Sequence, residues 1–114
     1  MGRTIIRTQV PANGRTQNVL ANTAFQFADT PGPNGAVQIT VSNTSDVAQN
    51  QVEIKADKDF VSLDEVPASV NVPLLDSNPG QSFVVEPGSQ INVDLINNNA
   101  AAQFFHTLVD FQPV

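Results

Sequence analysis

The sequence predicts an all-β fold, an antiparallel β-sandwich of seven to nine short strands. Apolar and polar residues alternate with period two in one segment after another. Turn-forming residues separate these segments about every 8–12 residues, the spacing of sandwich strands. No window keeps a helical period for more than about one turn. Composition agrees: fifteen Val, twelve Asn, ten Gln, eight Pro and six Gly, with no Tyr or Trp, suits strands and turns better than helices. A closed barrel satisfies the same pattern, and periodicity leaves the two open. A single domain of 114 residues buries roughly two-thirds of its unfolded surface, so its core requires neither a metal nor a disulfide.

Taken in order, residues 1–23 read as an extended N-terminal arm or first strand and residues 24–114 as a single β-sandwich domain. In Arg3–Val10, Ile6 and Val10 share a face with Thr4 and Thr8, while Arg3, Ile5, Arg7 and Gln9 lie opposite. The second face mixes arginine with isoleucine, which suits a contact surface better than a core. Pro11-Ala12-Asn13-Gly14 is a turn. Ala24–Ala28 places Phe25 and Phe27 on one face of a short buried strand, and the prolines and glycines of residues 29–35 break any regular element.

Ala36–Ala56 has the clearest pattern and reads as a hairpin. Val37, Ile39 and Val41 alternate with polar residues, Asn43-Thr44-Ser45-Asp46 turns the chain, and Val52 and Ile54 alternate on the return. A short strand over Phe60–Leu63 follows, then an edge or crossover strand over Ser69–Leu75 that carries Pro73, and a turn over residues 76–80. Phe83 and Val85 mark another strand, Glu86-Pro87-Gly88-Ser89 a type II turn, and Ile91, Val93 and Leu95 the inward face of the next strand. Asn97–Ala102 is a loop or one helical turn. Gln103–Phe111 is the longest strand, with Phe105, Val109 and Phe111 on one face and Phe104 and Leu108 on the other. It is therefore buried on both sides or packed against a partner.

Charge narrows the function classes. The net charge of −6 divides into +3 over residues 1–28 (Arg3, Arg7 and Arg15, no acid) and −9 over residues 29–114 (two Lys against eleven acids). So acidic a body argues against nucleic acid, whose binding needs clustered Lys and Arg. No segment approaches the ~20 apolar residues of a membrane span. The N-terminus has no apolar h-region, so a chain starting at Met1 is expected to be made in the cytoplasm. Cysteine is absent and His106 is the single histidine, which argues against thiolate chemistry, a catalytic triad and a histidine zinc site. The carboxylates of Asp57, Asp59, Asp64 and Glu65 lack the spacing of a calcium loop. No enzyme activity, cofactor or metal is expected. The residues expected to touch a partner protein are Arg3, Ile5, Arg7, Arg15 and Phe104.

The stretch VQITVSNTSDVAQNQVEI, followed by FVVEPGSQINVDL, resembles the immunoglobulin-like β-sandwich domains of bacterial and phage adhesion-related proteins. In that family an apolar strand ends in Asn-Thr-Gly-Asp, and a Pro-Gly turn precedes a later strand; Ser45 stands here where the family often has Gly. The likeness covers about residues 36–96. It implies an immunoglobulin-like sandwich and a binding or scaffolding module, and carries over no catalytic residue. Two functions follow as expectations. One is a capsid decoration (cement) protein on the outside of a tailed-phage head, bound to the major capsid protein lattice or to its own copies. The resemblance to such proteins implies a homotrimer on the virion surface. The other is an immunoglobulin-like adhesion or spacer module of a bacterial surface or secreted protein, located outside the cell.

Overall fold

A computed structural model describes residues 3–28, 35–57, 59–69, 80–86 and 88–113. It contains eight strands: β1 (Arg3–Val10), β2 (Arg15–Thr16), β3 (Val37–Ser45), β4 (Gln51–Ala56), β5 (Asp59–Glu65), β6 (Gln81–Val85), β7 (Ile91–Ile96) and β8 (Gln103–Pro113). They form two antiparallel sheets of four strands, ordered β1-β8-β3-β6 and β2-β7-β4-β5. The fold is thus an all-β sandwich. The expected strand over 69–75 and the turns over 29–35 and 76–80 fall wholly or largely outside the described residues.

The pairing has a simple logic. β1 pairs with β8, β2 with β7, β3 with β6 and β4 with β5. This is one long hairpin folded at β4–β5, then rolled so that β8 meets β3 and β7 meets β4. The result is the strand order of a jelly roll. The immunoglobulin order, with strands A, B, E and D in one sheet and C, F and G in the other, places the last strand elsewhere. Here the last strand lies between the first and the third.

The same topology corrects the hairpin expected over Ala36–Ala56. β3 and β4 belong to opposite sheets, and the chain crosses between them through residues 46–50. Period-two alternation reports which face is buried and says nothing of which strand lies alongside. Asn43, Thr44 and Ser45, expected as a turn, continue β3 because β8 is long enough to pair them with Thr107, His106 and Phe105. Thr107 Oγ1 donates to Asn43 Oδ1 at 2.6 Å, which supplies the buried amide with a partner inside the sheet.

Ile39 and Val41 of β3, Ile54 of β4, Ile91, Val93 and Leu95 of β7, and Phe105, Val109 and Phe111 of β8 fill the space between the sheets. Each such side chain, fully buried, contributes about 1.5–3 kcal/mol. Val10 and Leu20 are completely buried in this core. Of the two readings for the front segment, a strand is the one realised: β1 pairs with β8 along all eight of its residues.

Residues 24–28 are not a buried strand. They form turns and a single isolated bridge, Phe27 to Gln90. Ala28 N donates to Ser89 O and Ile91 N to Gln26 O, so the segment is stitched to the approach to β7 by separate bonds. Phe25 packs edge-on against Phe111, centroids 5.1 Å apart, while Phe27 is 43% exposed.

Candidate protein-contact face

β1 contains neither Pro nor Gly, so its period-two pattern runs unbroken. Arg3, Ile5, Arg7 and Gln9 point outward, while Thr4, Ile6, Thr8 and Val10 turn toward the core. Antiparallel register sets these outward residues beside the outer row of β8: Arg3 opposite Asp110, Ile5 opposite Leu108, Arg7 opposite His106 and Gln9 opposite Phe104. On the far side of β8, Thr40, Ser42 and Thr44 of β3 stand opposite Asp110, Leu108 and His106. Side chains of β1 and β3 cover the outer row His106, Leu108 and Asp110, and the opposite sheet covers Phe105, Val109 and Phe111, so β8 is buried on both faces over these residues.

Two contacts order this face. Arg7 Cζ lies 3.7 Å from the centroid of the Phe104 ring, a cation–π contact worth about 0.5–1 kcal/mol at an exposed site. Arg3 Nε is 3.5 Å from Asp110 Oδ1, with the arginine half exposed and the carboxylate nearly covered. Exposed pairs of this kind contribute at most about 1 kcal/mol. Between them Ile5 is 47% exposed and stands beside the buried Leu108. The outcome is an apolar strip with a guanidinium at either end, on a domain that is otherwise acidic.

The structure therefore brings together four of the five expected contact residues: Arg3, Ile5, Arg7 and Phe104. Arg15 does not join them. It opens β2 on the other sheet, where Nη2 meets Glu53 Oε1 at 3.2 Å and Nη1 lies 3.8 Å from Asp94 Oδ2. Glu53 and Asp94 are directly opposite across β4 and β7, a like-charge pair that is destabilising when uncompensated. Lys55 Nζ adds a second contact to Glu53, at 3.4 Å. The outward residues of β4 thus take part in a charge network that the sequence did not reveal, because Arg15 lies 38 residues from Glu53 and 79 from Asp94.

His106 is 8% exposed, between Arg7 and Thr44 in the sheet. Among the described residues no group of three or more His, Asp or Glu side chains could hold a metal ion. No helix among them is long and apolar enough to cross a membrane. Asp64 turns between the sheets and accepts a 2.9 Å hydrogen bond from Gln81 Nε2, tying β5 to β6. A cavity of about 230 Å³ lies on that side of the sandwich, with Val41, Val52, Ile54 and Val66 in its wall.

One structural residue was missed in the sequence. Asn97, buried at the end of the sandwich, donates from Nδ2 to Val10 O, Pro11 O and Ala101 O at 3.1, 3.0 and 2.9 Å. Asn98 and Asn99 reach Gln49 O and Ala48 O in the β3–β4 crossing. A run of three asparagines signals a loop but does not reveal that one side chain holds the end of β1.

Comparison with family models, curated proteins and solved structures finds no match to this chain.

Proposed function

We propose that this chain is a non-enzymatic virus structural protein, a capsid decoration (cement) protein that binds the outside of a tailed-phage head and stabilises it. The observation that carries the reading is the outer face of β1 and β8, where Arg3, Ile5, Arg7 and Phe104 form one basic-apolar surface. The rest of the molecule is acidic, so a negatively charged lattice attracts this face and repels the others. Exposed Ile5 supplies an apolar point of contact, with Arg3 and Arg7 on either side of it and Phe104 held under Arg7. The strand order adds support by analogy of fold, since viral capsid domains are among those built as jelly rolls. Lectin domains share it, but this chain has no Trp or Tyr on which to stack a sugar.

On this reading the chain resides on the virion surface. Each bound copy stabilises the head by mass action, because it binds the assembled lattice and not its separated subunits. The adhesion or spacer reading draws on the resemblance of residues 36–96 alone and gains nothing from the strand order.

The test is sedimentation of the protein with heads that lack it. The wild-type chain is expected to saturate at a fixed copy number per head. An Ile5→Asp/Arg7→Glu variant of unchanged fold is expected to bind on the order of a hundredfold more weakly, since it sets like charges against the partner. Equal binding by the variant would remove this face from the mechanism.

A further inference from the structure

Among the described residues two long strand edges are unpaired, and they are opposite in charge. β1 closes one sheet and β5 closes the other. They have eight and seven residues, whereas the remaining edges, β6 and β2, have five and two. β1 carries Arg3 and Arg7 with no acid, +2; β5 carries Asp59, Asp64 and Glu65 with no base, −3.

The edges face away from one another. The Asp64–Gln81 hydrogen bond puts β5 beside β6, and β6 and β1 are at opposite ends of their sheet. β5 is also inverted in its polarity. Its register against β4 sets Ser62 opposite Ile54 and Asp64 opposite Val52, on the core side. Leu63 and Phe60 fall opposite Glu53 and Lys55, on the outer side, and are 45% and 62% exposed. An inward carboxylate and a bulge, here between Ile54 and Lys55, are devices that keep an edge from pairing indiscriminately. They leave the outer side apolar and flanked by acid.

We propose that β5 of one copy of this chain receives β1 of a second copy, antiparallel, joining sheets of neighbouring molecules edge to edge. Strand addition of this kind draws affinity from main-chain hydrogen bonds and specificity from alternate side chains. The register that sets Ile5 against Leu63 also sets Arg3 against Glu65, and it puts Arg7 opposite Val61, two residues from Asp59. Like edges do not satisfy the same chemistry: β1 against β1 gathers four arginines, and β5 against β5 six carboxylates. The contact is therefore heterologous, head to tail, and it builds a closed ring or an open row according to the rotation at each step. It uses the lateral edge of β1, leaving the outer face directed at a lattice. It is tested on purified chain with no particle present, so its outcome is separate from that of the capsid reading.

Sedimentation velocity over a wide concentration range is the experiment. The wild-type chain is expected to self-associate, less so as salt rises. Arg3→Glu/Arg7→Glu and Asp59→Lys/Glu65→Lys are each expected to weaken association on the order of a hundredfold, because each faces like charge with like. An equimolar mixture of the two is expected to recover it, since every edge then meets its opposite. A second measurement does not depend on the reversed charges. The chain has no cysteine, so Ile5→Cys and Leu63→Cys proteins mixed under oxidation are expected to form the mixed disulfide in preference to either symmetric one. A wild-type chain that stays monomeric throughout, reversals without effect, or predominance of a symmetric disulfide each overturns the proposal.

Discussion

Replacing Asn97 tests whether one side chain holds the end of the sandwich together. Its amide carries two hydrogens for three carbonyl oxygens, those of Val10, Pro11 and Ala101, so at least one hydrogen is shared. Its Oδ1 also accepts from Asn99 N at 2.9 Å. Asn97→Ala thus removes the equivalent of three hydrogen bonds at a position 1% exposed. At about 1 kcal/mol each the loss is about 3 kcal/mol, which lowers the midpoint of thermal unfolding by roughly 10 °C.

Asn97→Asp sharpens the argument, because it keeps the shape and replaces the donor with an acceptor. A carboxylate there faces three carbonyl oxygens away from water, so its folded pKa is raised above the ordinary value of about 3.9. The native state then keeps the proton over a range where the unfolded chain has lost it. Relative to wild type, the variant is least destabilised below about pH 4 and loses stability as pH rises toward the folded pKa. Urea unfolding followed by circular dichroism and extrapolated to zero denaturant measures both variants. A loss below about 1 kcal/mol for Asn97→Ala, or a pH-independent difference for Asn97→Asp, would refute the reasoning.

Other positions give separate tests. Gly80 has φ +66, and a Cβ there would collide with Val41 O and come within 2.7 Å of Ser42 Cα; Gly80→Ala is expected to cost about 2 kcal/mol or more in the same urea assay, although the residue is exposed. Ser62 Oγ is buried without a hydrogen-bond partner among the described residues, so Ser62→Ala is expected to stabilise by about 1 kcal/mol. Arg15→Gln leaves Glu53 facing Asp94 and is expected to cost about 0.5 kcal/mol at low salt, shrinking as salt screens the pair, with binding to heads unchanged.

The faces of strands were legible in the sequence, and their partners were not. The inward sets Val37, Ile39, Val41 and Ile91, Val93, Leu95 follow from alternation alone. The same alternation is equally compatible with β3 beside β4 and with β3 across the core from β4. The crossing at residues 46–50 is decided by β8, which is long enough to hold β3 through Ser45. For the same reason the jelly-roll order could not be read locally: its nested pairs join the two ends of the chain.

The contact face was partly legible. Arg3, Ile5 and Arg7 lie on one face by alternation, and Phe104 joins them once β1 and β8 pair. Arg15 was grouped with them by charge, which carries no information about which sheet a residue enters. Phe25 and Phe27 alternate over too few residues to define a strand; Phe27 makes one isolated bridge to Gln90, the neighbouring Gln26 and Ala28 bond to Ile91, Ser89 and Gly88, and the Phe25 amide donates to Thr23 Oγ1.

The proposed attachment of the β1–β8 face to the outside of a phage head is measured most directly on the protein in its natural source. Density-gradient sedimentation of that material, with the chain followed by antibody, is expected to place it with a large particle at a fixed copy number, released by treatments that break protein contacts. Migration as a free, low-mass protein with no particle-bound fraction would contradict it.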